Sequence, residues 1–280
     1  FNSRGEFIGY LMEKAEGKEI QKVIFHRKTL RSTFPTWSRI QLVTLTINIL
    51  QQIAFLHQGN VIIGDINGLN ILVQDENHVY VIDTDSFQIE GFPCPVGTPS
   101  FLAPELGGQN LRGILRTFSH EHFAVATLVF MLLMLGKAPY SRKGGSDPAR
   151  NVRDGIFPYD RPGRSGSNGV PDGDCSFIWG NFPQHLKEAF HQVFSDGNRL
   201  SVHDWISAME RYRSDLVNGY VPTDLFPGRQ RHITVPASLL RPTFLRHVVV
   251  TTPLKTIRSH SWVHAPAVLS NVRTLVNQVF

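Results

Sequence analysis

The stretch that decides the reading of this chain is Asn60–Phe87, "NVIIGDINGLNILVQDENHVYVIDTDSF". Two short apolar runs, "VII" and "VYVID", each deliver an aspartate, Asp65 and Asp83, and a polar turn between them ends at Asn70. Carboxylates beside an apolar core cost free energy unless something pairs with them. Three explanations are open for that pattern: a metal ion, a reacting hydroxyl, or the turn chemistry of Asx residues at strand ends.

Working outward, Asn70–Val73 and Val79–Ile82 read as two strands joined by "QDENH", a small hairpin. Upstream, Ser38–His57 is apolar at Ile40, Val43, Ile47, Leu50, Ile53, Ala54 and Leu56, a helical spacing that Gly59 stops. Phe7–Met12 reads as a strand, followed by a polar turn, "EKAEGKE". Downstream, Thr84 to about Phe101 is irregular, and a buried helix runs from Phe123 to Leu135 and ends at Gly136. Residues 141–175 are rich in Gly, Ser, Pro, Asp and Arg, a surface loop around a short element at Ala149–Asp154. Helices return at Gln184–Phe194 and Val202–Arg213. The expected class is α+β, mostly helical after residue 110.

Composition fits a soluble globular chain: 280 residues, 41% hydrophobic and 18% charged. Two cysteines, Cys94 and Cys175, make no disulfide framework and no zinc motif, so a reducing, cytoplasmic setting is expected. The first residues do not read as a signal peptide. The longest apolar run, Ala124–Leu135, is too short to cross a bilayer, which takes about 20 residues. The net charge of +5 is concentrated at the end: Val221–Phe280 holds seven Lys and Arg against Asp224 alone. Contact with nucleic acid through this basic tail is open. Its charges are spaced singly, without the dense clusters or aromatic stacking pattern of such surfaces.

The ordered set Asp65, Asn70 five residues on, Asp83, and then Ala103-Pro104-Glu105 in "GTPSFLAPEL" resembles the protein-kinase signature. The resemblance extends from about Gly9 to Leu216. It is strongest to a bacterial group of Ser/Thr protein-kinase-like proteins that read G-D-x-N-x-x-N in the catalytic loop and D-x-D-S-F-Q in place of D-F-G. It implies a kinase-like C-terminal lobe and an ATP- and Mg2+-dependent phosphotransferase acting on Ser/Thr of a protein substrate. Asp65 would be the catalytic carboxylate that orients the substrate hydroxyl. Asn70 and Asp83 would be the metal ligands, oxygen donors suited to a hard cation. "YLMEKAEGKEI" resembles a kinase hinge, with Met12 as gatekeeper, the backbone of Glu13 and Ala15 at the adenine, and Glu19 near the ribose. Thr98 matches the threonine that Ser/Thr kinases carry before A-P-E. Arg199 matches the arginine that pairs with its glutamate, here Glu105, and a largely buried pair is expected. Glu121 stands where the family usually has aspartate.

The chain departs from the pattern in several places. Ile63-Gly64 replaces the usual His-Arg, Asn67 the usual lysine, and Asp85 the glycine of D-F-G. No Gly-rich loop precedes Phe7, so the small N-terminal lobe is expected to be largely missing, with nucleotide binding weak and phosphate transfer weak or absent. The expected organisation is a kinase-like domain over 1–219 and a basic tail over 220–280. A pseudokinase or interaction module remains an open alternative. A small-molecule kinase of the aminoglycoside or choline type shares a similar loop but lacks A-P-E and its arginine, so Glu105 and Arg199 argue against it.

Overall fold

The computed structural model describes residues 3–6, 14–145, 147–163 and 169–228. The strand expected at Phe7–Met12 lies outside these residues, as does the basic tail beyond 228. The fold is mixed helix and sheet, with two small sheets set against a helical core.

Its axis is α3 (Arg39–Gln58), a twenty-residue helix. Ser38 starts it with a capping box: its hydroxyl accepts from the Ile40 amide, and Gln41 Oε1 accepts from the Ser38 amide at 2.9 Å. Leu42, Leu45, Ile49, Leu50 and Ile53 are buried along it. By length and composition α3 would also pass as a membrane span. It packs instead between α4 (Phe118–Leu133) and α8 (Val202–Val217), as the core helix of a folded domain. Arg39, at its start, is buried and donates to the carbonyls of Leu133 (2.6 Å) and Leu225 (2.8 Å). The chain around Thr223–Leu225 is thereby tied to the end of α4.

Helix α4 is buried around nearly its whole circumference. It begins at Phe118, five residues before the apolar run suggests. Thr117 caps it, accepting from the His120 amide at 3.4 Å, so a polar first turn precedes the apolar stretch. Two short helices, α1 (Ile20–Val23) and α2 (Arg27–Thr33), precede α3 and bury Ile20, Ile24 and Leu30. After α4 come α5 (Pro148–Asp154), α6 (Cys175–Gly180) and α7 (Gln184–Phe194). Aromatic rings from α4, α6 and α7 interlock: Phe130 meets Phe190 edge-on at 5.1 Å and Trp179 at 6.4 Å.

The first sheet has the order β1-β3-β4, all antiparallel: β1 (Lys18–Glu19), β3 (Ile71–Val73) and β4 (Val79–Val81). The second pairs β2 (Val61–Ile62) with β5 (Gln88–Ile89). Both β1 and β5 fall where the sequence reads as turn or irregular chain. Two-residue strands are too short to show a period, and only the partner strand selects them. Helix α3 holds the hairpin: Asn48 Nδ2 donates to the Glu76 carbonyl (2.8 Å) and Gln52 Nε2 to that of Val79 (2.7 Å).

Candidate functional site

The loop between β2 and β3 carries the candidate site. Ile63 and Ile66 are buried and anchor it, while Asp65 between them is only partly covered. Glu121, buried in the first turn of α4, grips it from below. Its two oxygens accept from the amides of Ile63 and Gly64, each at 2.8 Å, and Oε1 lies 3.2 Å from His57 Nε2. Asn67 is spent inside the loop. Its Oδ1 accepts from the amides of Leu69 (2.8 Å) and Asn70 (3.2 Å), and its Nδ2 donates to the Asp65 carbonyl (3.2 Å).

Register brings Asp83 to Asn70. In the hairpin Ile71 pairs with Val81, and the Ile82 amide donates to the Asn70 carbonyl at 2.9 Å. Asp83 follows directly, with a left-handed backbone (φ 64°, ψ 43°) that Asp tolerates better than most residues. Asn70 Nδ2 donates to the Asp65 carbonyl (3.1 Å), which leaves the Asn70 side-chain oxygen without a hydrogen bond among the described residues. Thr98 binds Asp65 twice: its amide (2.8 Å) and its hydroxyl (2.9 Å) both donate to Asp65 Oδ1.

Asp83 holds its proton above the ordinary carboxylate range. Local desolvation is the first cause, although the residue remains exposed; a shared hydrogen bond with Asp85 and the negative charges of Asp85 and Asp65 add to it. Three carboxylates thus sense one another, a field that favours a bound cation. Among the described residues no three His, Cys, Asp or Glu side chains form a ready metal cage. Magnesium commonly takes one or two carboxylates and fills its other positions with water and substrate phosphates. Asn70 and Asp83 fit that role.

A raised carboxylate pKa in the fold has a definite sign. Its stabilising contribution is complete below the unfolded value, about 3.9, and is lost as pH climbs through the raised folded value. At neutral pH without divalent cation, Asp83→Asn is therefore expected to raise the thermal midpoint, on the order of 1 °C. At pH 3 the two proteins should melt together. An Asp83→Asn protein that melts lower at neutral pH would contradict this.

Other expected positions fare differently. Met12 and Glu13 lie outside the described residues. Ala15 sits in the loop before β1, and the Glu19 carboxylate, in β1, pairs with Lys22 at 2.8 Å. Glu105 and Arg199 do meet: Arg199 Nη2 lies 3.2 and 3.1 Å from the two Glu105 oxygens. The expectation of a largely buried pair is corrected, because the Glu105 side chain is 42% exposed. It rides on a surface 3-10 turn, Pro104–Leu106, and a single nitrogen rather than a two-pronged fork serves both oxygens. Glu105→Ala should then cost only about 0.2–1 kcal/mol, as exposed pairs do, and a denaturation midpoint lowered by several times that would restore the buried reading.

Sequence reasoning missed Arg116 and Gln88. They are buried and bonded to each other: the Arg116 amide donates to Gln88 Oε1 (2.7 Å), and Gln88 Nε2 donates to the Arg116 carbonyl (2.8 Å). Gln88 is the last residue of the D-x-D-S-F-Q motif, whose resemblance assigned it no role, and the motif positions singled out leave Arg116 aside. A cavity of about 360 Å3 between Arg31, Trp37 and Phe226 shares no lining residue with the Asp65 site.

A catalytic-type loop gripped from a helix start, an adjoining hairpin aspartate and a threonine bonded to the loop carboxylate make up the arrangement, and comparison with known proteins relates the chain to the protein kinases. It is 28% identical over 224 residues to protein kinase YegI of Escherichia coli strain K12, covering 76% of this chain and 35% of that protein. The match to protein kinase YegI of Escherichia coli O157:H7 is 28% over 243 residues, 82% of this chain and 37% of that protein. A shorter match, 28% over 111 residues, is to a putative serine/threonine-protein kinase R436 of Acanthamoeba polyphaga mimivirus, covering 38% of this chain and 39% of that protein. The chain spans about a third of the length of the curated relatives it matches. No family model matches it.

Proposed function

We propose that this chain carries the catalytic-loop lobe of an ATP- and Mg2+-dependent Ser/Thr protein-kinase-like phosphotransferase. The observation that carries the reading is the Asp65 carboxylate, anchored through one oxygen by Thr98 and set beside Asn70 and Asp83. In this reading Asp65 orients an incoming hydroxyl and receives its proton, and Asn70 and Asp83 hold the cation. The bound cation supplies neutralisation of the nucleotide's phosphate charge. The loop itself contributes position: Glu121 and Asn67 fix its backbone, so the carboxylate does not reorganise when substrate arrives.

The test joins binding to turnover. With millimolar Mg2+ the thermal midpoint of the chain should rise, and it should not rise for Asp83→Asn. Transfer of labelled phosphate from Mg-ATP to a Ser/Thr protein acceptor should be lost in the same variant. Equal Mg2+ shifts in both proteins would overturn the metal assignment.

A second reading, a nucleotide-binding module without transfer, is favoured by one observation. Asn67 stands where the related pattern has lysine and is buried in loop-internal bonds, so it brings no positive charge to a γ-phosphate. Nucleotide binding in the absence of any Asp65-dependent transfer would select it.

A further inference from the structure

We propose that Arg116 is a positioning residue for the Asp65 site, a buried guanidinium latch that locks the segment Val96–Thr98 onto the catalytic-type loop. The inference rests on the phosphotransfer reading of Asp65 for its functional meaning, though not for its geometry.

Arg116 is 5% exposed, and among the described residues no carboxylate lies within ion-pair distance of it. Two of its three guanidinium nitrogens bond backbone carbonyls instead, and Nε is buried without a hydrogen bond among the described residues. Nη1 donates to Gly64 and Nη2 to Val96. A buried cation without an acidic partner is costly unless its bonds accomplish something that a smaller residue cannot. Here one planar group reaches two chain segments that come together at the site. Gly64 directly precedes Asp65. Val96 is two residues before Thr98, the residue that binds Asp65 through both its amide and its hydroxyl. The latch therefore sits immediately behind both partners of that hydrogen-bonded pair.

Two glycines make room for it. A Cβ on Gly64 would come within 2.9 Å of Arg116 Nη1 and 2.6 Å of the Cys94 side chain; its φ of +75° also disfavours any other residue. Gly97, between Val96 and Thr98, has no left-handed backbone to account for it. What excludes a side chain there is space: a Cβ would lie 3.0 Å from Arg116 Nη2 and 2.7 Å from Leu102. From the other end, Gln88 fixes the Arg116 backbone through both its amide and its carbonyl. The guanidinium is thus held at its root by β5 and at its tip by two notched loops. Lysine would have to serve both carbonyls from one nitrogen, whereas the guanidinium gives each its own nitrogen in a fixed plane.

The Thr98 amide is the reporter, since it donates to Asp65 Oδ1 at 2.8 Å. Amide hydrogen exchange on the whole 280-residue chain should show Thr98 exchanging at least about tenfold faster in Arg116→Gln, and to an intermediate degree in Arg116→Lys. Amides in the middle of α8, which report global opening, should change far less. A merely structural arginine would accelerate both alike, and that outcome overturns the proposal. Should Arg116→Gln fail to fold, Gly97→Ala takes its place, because its methyl pushes on Nη2 and leaves the guanidinium present. Selective release of Thr98 is again expected, and its absence overturns the latch. In phosphotransfer assays Arg116→Lys should lower kcat with KM for ATP nearly unchanged. The exchange result needs no turnover. If Asp65→Asn leaves transfer intact, the phosphotransfer reading fails while the latch stands; if Thr98 stays protected, the latch fails alone.

Discussion

Asp65→Asn is expected to lower whatever Mg-ATP-dependent phosphate transfer the chain supports by about 10²–10⁴-fold, the usual contribution of a positioned acid or base. The fold should be almost untouched. An asparagine Oδ1 can still accept from both the amide and the hydroxyl of Thr98, so the anchoring bonds of 2.8 and 2.9 Å have a replacement acceptor. The carbonyl of residue 65, which accepts from Asn67 and Asn70, is unaffected. What is lost is the negative charge and the capacity to take a proton. Asp65→Ala is a poorer probe, because it also frees Thr98 and mixes chemistry with geometry. The measurement is initial rate of transfer alongside the thermal midpoint of each protein. An Asp65→Asn protein that transfers phosphate at an undiminished rate would show that this carboxylate is not the acceptor of the proton.

The largest loss of stability is expected from Glu121→Ala, about 3–5 kcal/mol, or on the order of 10 °C in the midpoint. Glu121 is 2% exposed, and its two oxygens take the amides of Ile63 and Gly64, which the loop offers to no other acceptor. Truncation leaves two buried donors unmatched, each typically costing about 1–3 kcal/mol, and removes the partner of His57 Nε2. Glu121→Gln keeps one good acceptor and should lose less. The contrast with Glu105→Ala is the sharp part of this expectation. Both residues are glutamates singled out by their motif positions, and burial and partners separate their costs: Glu121 holds two buried amides, Glu105 an exposed ion pair. Chemical or thermal denaturation of the two alanine variants decides it: similar losses would mean that the Glu121 amide bonds are weaker than their geometry.

Much of the framework is legible in the chain. The apolar spacing of Ser38–His57 specifies a helix because each turn must present the same face to one core, and the structure begins and ends it within a residue, at Arg39–Gln58. The runs "ILV" and "VYV" around a polar five-residue turn specify a hairpin for the same reason of period, and the α+β class follows from the two together. The order of Asp65, Asn70, Asp83 and Ala103-Pro104-Glu105 carries the resemblance to protein kinases in the sequence, and a loop and a hairpin bring the first three of these residues together. These are local quantities: spacing, turn chemistry and a register that a five-residue connection allows little freedom to change.

Burial and partnership are different in kind. Whether Glu105 would be covered depended on how a 3-10 turn met the segment just before α8 that holds Arg199, 94 residues further along the chain. That β1 and β5 are strands at all depended on β3 and β2 lying beside them, since two residues have no periodicity of their own. Arg116 had no legible role, because its partners are backbone carbonyls, which every residue possesses and no side-chain pattern announces. Sequence by itself determined the long helices, the hairpin and the order of the polar residues, since these follow from periodicities of a few residues, while the short helices α1, α2 and α6 have too few turns to show one. Only the tertiary structure decided which charges are buried, which glycines are notches and which arginine closes the site, because each of those is a property of two segments distant in the chain meeting in space.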